Sequence, residues 1–268
     1  MNVMNQNPLK RWAAPAAGLF SILAVTTSHA ALVAPNTTEA AGAVLGGGTS
    51  FGANASLAGT VVGNKTTSFL EPSALFQGTL RSVVVQNTAG LLDFYFQLSN
   101  TSNLAPVSTG PGLGSDIFRL TLSGFAGFGT GAGDGLEMNY RTDGLAGIAG
   151  AGAFVIGTKP AFSADRDPAL ATQGGVGFDF DASQFLGGPG NVDSGQTSEF
   201  LLIRTNARAF RNVSSEVVSG FGTAFTSGFA PAAVPEPATA LAGLVLGSFV
   251  AFRDMGRGRR RQPVPAKA

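Results

Sequence analysis

The chain has 268 residues, of which 44% are hydrophobic and only 12% charged. That length holds one sizeable domain or two small ones, and the charge content is about half the roughly one quarter usual for a cytosolic domain. With no cysteine, the chain has no disulfide, thiolate nucleophile or cysteine metal site. The net charge of +1 hides an asymmetry: Ala31 to Val234 carries nine basic against fourteen acidic residues, a net of −5, and the two ends are basic. A mildly acidic body argues against a nucleic-acid partner.

Taken in chain order, the first 30 residues read as a signal-peptide helix. Lys10 and Arg11 form a positive leader, Ala13 to Val25 is apolar, and Ser28-His29-Ala30 places small residues at the −3 and −1 positions. The expected cut lies between Ala30 and Ala31, made by signal peptidase after passage through the Sec export machinery. It has a chemical consequence. His29 is the only histidine of the chain, so the mature body would hold neither His nor Cys.

Ala31 to about Asn64 is rich in Ala, Gly, Thr and Ser and reads as a loose segment with one or two edge strands. Strong strand signals begin near Gly78. Ser82 to Gln86 is β-branched, Asn87-Thr88-Ala89-Gly90 is a turn, and Leu92, Phe94, Phe96 and Leu98 alternate with Asp93, Tyr95, Gln97 and Ser99. Alternation of period two predicts a half-buried strand, and the two runs together predict a hairpin. Further strands are expected at Phe118 to Ser123, Glu137 to Arg141, Ala153 to Ile156, Val176 to Phe180, Phe200 to Thr205 and Val213 to Val218. Glycine-rich connections separate them at Gly124 to Gly135 and Gly187 to Gly195. No stretch shows helical periodicity with caps. Many short strands with turn-rich links predict an all-β fold, a jelly-roll-like β-sandwich ectodomain over 31–230. The 21 phenylalanines are its expected core.

The C-terminal segment has three parts: Val234-Pro235-Glu236-Pro237, the uncharged run Ala238 to Phe252, and the basic cluster Arg253, Arg257, Arg259, Arg260 and Arg261. Pro237 suits the first position of a helix, and Glu236 meets the positive end of its dipole. The arginines favour the cytoplasmic side, which leaves the body outside. The run is short: 15 helical residues reach about 22 Å, against a hydrocarbon core of roughly 30 Å. A single span this marginal fits a processing signal better than a lasting anchor.

Together these parts, Val234 to Ala268, closely resemble the PEP-CTERM sorting domain of exported bacterial proteins. Asp254-Met255-Gly256 interrupts the arginines, and Gln262 to Ala268 extends beyond them. The resemblance implies an exosortase that processes the tail near the motif, and a producer with an exopolysaccharide-rich envelope. In the body, LLDFYFQLSNTS, FLLIRTNARAF and SGFAPA resemble, more loosely, the ectodomain common among such proteins, which brings no catalytic residue with it.

Residue types exclude most catalytic constellations. Without His or Cys, the mature body holds no Ser-His-Asp or Cys-His arrangement and no zinc site built on His or Cys. Ser–Lys chemistry would need Lys65 or Lys159, the only body lysines, and neither lies in a nucleophile motif. Asp179-Phe180-Asp181 places two carboxylates on one strand face. That pattern reads as a solvated face opposite Phe178 and Phe180, as a calcium site, or as a hydrolytic pair. Asn191-Val192-Asp193-Ser194-Gly195 gathers oxygens but reads as a turn, and Gly129 to Gly135 lacks the lysine of a P-loop. Five Asn-x-Ser/Thr triplets, at Asn36, Asn54, Asn64, Asn100 and Asn212, would matter only with a eukaryotic glycosylation machinery.

The sequence therefore predicts a non-enzymatic protein without a resident cofactor. It is expected first as an inner-membrane-tethered precursor, then in the cell envelope, at the surface or in the extracellular matrix of a bacterium. Exopolysaccharide is a candidate partner. A carbohydrate-binding module, with or without calcium, is the alternative.

Overall fold

The computed structural model describes residues 31–34, 43–103, 114–130, 135–166, 175–180 and 190–234. Thirteen strands follow in chain order: β1 (Ala31–Val33), β2 (Ala43–Val44), β3 (Gly59–Leu70), β4 (Gln77–Asn87), β5 (Leu92–Asn100), β6 (Ile117–Leu122), β7 (Leu136–Arg141), β8 (Ile148–Ala149), β9 (Ser163–Asp165), β10 (Val176–Asp179), β11 (Phe200–Arg204), β12 (Ala209–Ser219) and β13 (Gly222–Ala232). They form a seven-stranded sheet, β1-β7-β11-β5-β4-β3-β8, and a six-stranded sheet, β13-β12-β6-β10-β9-β2. The expected all-β, two-sheet architecture is therefore observed. Among the described residues no helix is long and apolar enough to cross a membrane. The signal-peptide helix and the expected span 238–252 lie outside the described residues.

The core forms where the two sheets face each other. Phe94, Phe96 and Leu98 from β5 meet Leu120 and Leu122 from β6 and Phe178 from β10, all fully buried. Phe125, just past β6, sets its ring edge-on to Phe94 and Phe96, with centroids 5.5 and 6.5 Å away. Such edge contacts add roughly 0.5–1.5 kcal/mol each to the area buried.

The expected hairpin is present. β4 pairs with β5 from Gln86↔Leu92 to Gly78↔Asn100. Asn87 makes its turn: the side-chain Oδ1 accepts from the N–H groups of Ala89 and Leu91, both at 3.1 Å, and Gly90 takes φ 76°. One expectation for this hairpin fails. β5 is not half-buried, because Asp93, Tyr95 and Gln97 are as buried as the phenylalanines beside them. A second apolar cluster covers the outer face of the sheet, built from Val83, Val85, Tyr95, Phe200 and Leu202 with Leu145, Ile148 and Ala151 from the loop after β7.

That loop explains the second correction. Ala153 to Ile156 is not a strand. Its carbonyls are taken by side chains instead of a neighbouring backbone: Arg81 donates to Ala151 and Ala153 at 2.9 and 3.0 Å, and Gln97 Nε2 to Val155 at 2.9 Å. Gly144, at φ 64°, is needed where the loop closes, since a Cβ there would lie 2.2 Å from the Phe154 ring.

Two long strands exceed expectation. β3 begins at Gly59, inside the segment read as loose, and pairs with β4 along its length. β13, made largely of Gly, Ala, Ser and Thr, pairs with β12 in unbroken register from Ala209↔Ala232 to Ser219↔Gly222. β13 is an edge strand, and hydroxyl groups of the other sheet close that edge. Thr67 Oγ1 donates to the Ser227 carbonyl at 2.8 Å, and Ser82 Oγ accepts from Phe229 N–H at 3.0 Å. Two groups of the row that could recruit another strand are thereby answered internally.

Candidate functional site

Asp179, the first of the paired carboxylates, is 2% exposed, which overturns the solvated-face reading. It stands opposite Arg119 in the β10–β6 ladder. Arg119 Nη1 donates to Asp179 Oδ1 and Asp165 Oδ2, both at 2.7 Å, and Nη2 donates to Asp165 Oδ1 at 2.9 Å. The guanidinium crosses Gly177, where a Cβ would fall 2.0 Å from Nη2. Burial acts to lower the Arg119 pKa, but its hydrogen bonds to Asp165 and Asp179 and the charges of both aspartates raise it above its ordinary value. A cation already occupies the space between these carboxylates, so Asp179 is a poor metal ligand and a poor nucleophile. Asp181 lies outside the described residues. Among the described residues no group of three or more His, Cys, Asp or Glu could hold a metal ion. The flanking Phe178 and Phe180 are buried as expected.

Lys65 lies near a serine after all, with Nζ 3.2 Å from Ser227 Oγ. The ammonium also donates to Asn212 Oδ1 at 2.5 Å and sits 4.7 Å over the Phe229 ring. Burial lowers its pKa. These contacts tie β3 to β12 and β13, so the lysine joins the two sheets at their corner. Lys159 pairs with Asp193 at 3.3 Å.

Ionisable groups gather in two places. The first is the outer face of the seven-stranded sheet. Register sets Asp93, Arg204 and Glu137 in one row across β5, β11 and β7. Arg204 Nη1 donates to Glu137 Oε2 at 3.1 Å, and its Nε lies 3.7 Å from Asp93 Oδ1. Burial pushes the Asp93 carboxyl up to about 6, while Arg204 and the Asn87 amide pull it down. Asp93 Oδ2, the Tyr95 hydroxyl and Arg141 Nη1 are buried without hydrogen-bond partners. The Arg141 guanidinium lies 5.7 Å over the Tyr95 ring and holds the covering loop through Asp143 and the Ala146 carbonyl.

The second place is one end of the sandwich, where β5 runs out. Asn100, 1% exposed, donates from Nδ2 to the carbonyls of Ser115 and Val192 at 2.8 and 2.9 Å. Its backbone bonds Gly195 and Gln196. The turn expected over Asn191 to Gly195 falls at Asp193 to Gln196, because Val192 bridges to Ile117; Gln196 N–H bonds the Asp193 carbonyl and Gly195 takes φ 79°. Asn100, Ser102, Ser194, Gln196 and Thr197 line a cleft of about 520 Å³ with hydroxyl and amide groups and no aromatic ring. Asp116 lies beside it. Its carboxyl is raised first by burial and then by Asp193, with Lys159 opposing.

No family model, curated protein or solved structure matches this chain. The site must therefore be read from its own chemistry.

Of the residues singled out for sorting, Ala31 opens β1 and pairs with Met138, and Val234 follows β13 with 54% of its surface exposed. Ser28, Ala30, Pro235, Glu236, Pro237, Arg253, Arg257, Arg259, Arg260 and Arg261 lie outside the described residues. Nothing local in the sequence marks Arg119, Asp165 or Asp93 as buried charges, or Asp116 as a half-buried one. Arg119 reads as the polar member of an alternating strand, and its partners are 46 and 60 residues away.

Proposed function

We propose that the chain is an exported, non-enzymatic surface or extracellular-matrix protein whose precursor is held at the inner membrane by its C-terminal helix and processed there by an exosortase. The reading is carried by one observation: Val234-Pro235-Glu236-Pro237, the apolar run 238–252 and the arginines from Arg253 to Arg261 follow each other in the order of a PEP-CTERM sorting signal. Removal of the leader after Ala30 and of the tail beyond Val234 would leave every described strand whole. The ectodomain would then be a jelly-roll-like sandwich displayed outside the cell.

Replacing Pro235-Glu236-Pro237 with three alanines tests this. The expected result is accumulation of the unprocessed precursor in the membrane fraction, while the unaltered protein moves to the surface or matrix. Identical fractionation and identical mass for both proteins would overturn the reading.

The polar cleft at the end of β5 favours carbohydrate binding as the second reading, since its hydroxyls and amides suit a polyhydroxylated ligand. The absence of a ring for sugar stacking among its lining residues ranks this reading behind the first. Binding of purified exopolysaccharide that is lost in Gln196→Ala or Thr197→Ala would raise it; a blank binding curve would remove it.

A further inference from the structure

Beside the cleft, Ile117 and Val192 form a bridge and exchange both backbone hydrogen bonds, at 3.1 and 2.9 Å. Residues next to such a pair stand directly opposite each other, with side chains close together. That places Asp116 against Asp193. Asn191, two residues before Asp193, shares their face of the bridge. Like charges opposed across strands are destabilising unless a cation joins them. Lys159 supplies one positive charge, 3.3 Å from Asp193 Oδ2.

Two oxygens on this face have no hydrogen-bond partner. Asp116 Oδ1 and Asn191 Oδ1 are both buried, and Asn191 as a whole is only 4% exposed. Leaving a buried polar atom unpaired costs about 1–3 kcal/mol, and more for a charged group. Two aspartates and an amide oxygen, all hard oxygen donors, are the ligand types of calcium, which takes six to eight oxygens with flexible geometry. Asn100 fixes both strands of the bridge through the Ser115 and Val192 carbonyls. Ser194, next in the chain to Asp193, lines the neighbouring cleft.

We propose that Asp116, Asn191 and Asp193 form a calcium site at the polar end of the sandwich, with the Lys159 ammonium holding the place of the ion when calcium is low. A site with two carboxylates and a competing lysine belongs in the weak range of extracellular modules, about 10⁻⁴–10⁻³ M. The proposal does not depend on whether the tail is processed.

The test uses the full chain in detergent. Equilibrium dialysis against calcium chloride should find one ion bound per chain, with magnesium chloride a poor competitor. Calcium at about ten times its dissociation constant should raise Tm by about 3–5 °C over the chelator-treated protein. Asp116→Asn should weaken binding at least tenfold. Lys159→Met should tighten it several-fold, because the competing cation is gone; a merely structural lysine would not act in that direction. Should Asp116→Asn fail to fold, the Lys159→Met measurement decides alone. No bound calcium at about 1 mM, the upper end of that range, would overturn the proposal. So would binding unchanged in Asp116→Asn, or weakened in Lys159→Met.

Discussion

The two faces of β5, in the middle of the seven-stranded sheet, are equally buried and differently built. The inner face of β5 presents Phe94, Phe96 and Leu98 to the second sheet, and its neighbours there are apolar. The outer face presents Asp93, Tyr95 and Gln97, and a loop rather than a sheet covers it. On the inner face stability follows packed volume. On the outer face it depends on whether each buried charge and hydroxyl is answered. Burial alone therefore says little about what holds a surface in place.

Changes on each face should separate these two kinds of stabilisation. Phe96→Ala on the inner face leaves a cavity and should cost about 3–5 kcal/mol in urea unfolding. A loss under about 1 kcal/mol would show that the facing sheet collapses into the gap. Arg119→Met, in the six-stranded sheet, should cost a similar 3–5 kcal/mol by leaving Asp165 and Asp179 buried without their cation.

Asp93 reverses the direction. Its folded-state pKa of about 6 stands above the ordinary carboxylate value. Its contribution to stability is thus fully present below about pH 4 and is lost as pH rises through about 6. Asp93→Asn should stabilise the protein at pH 7 by about 2–3 kcal/mol and change little at pH 4. Equal effects at both pH values would show that Arg204 compensates the charge fully. Gln97→Ala should cost about 1–2 kcal/mol by freeing the carbonyls of Val155 and Ser198, and hydrogen exchange should rise in the covering loop first. Phe225, 69% exposed on β13, sets the baseline: Phe225→Ser should stay within about 0.5 kcal/mol.

The inner face was legible in the sequence because period-two alternation of Phe and Leu has one physical cause. Asn87 and Gly90 marked the hairpin turn for an equally local reason. The outer face was not legible. Nothing local distinguishes Asp93 in water from Asp93 under a loop that begins fifty residues later. β13 was missed because Gly, Ala, Ser and Thr carry little strand preference of their own; its strand state comes from an eleven-residue register with β12. Ala153 to Ile156 looked like a strand because Val and Ile suit one, yet Arg81 and Gln97 had taken its hydrogen bonds. For the candidate site, the turn at Asp193 to Gln196 could be read from its residues. Its opposition to Asp116 could not, since that pairing depends on a bridge between segments 75 residues apart.

The central claim concerns the ends of the chain, and intact-mass and terminal-peptide mass spectrometry of the protein isolated from its native envelope or matrix tests it most directly. Export with sorting predicts a chain that begins at Ala31 and ends near Pro237, without the arginine cluster. A surface-located protein that still begins at Met1 or still ends at Ala268 would contradict it.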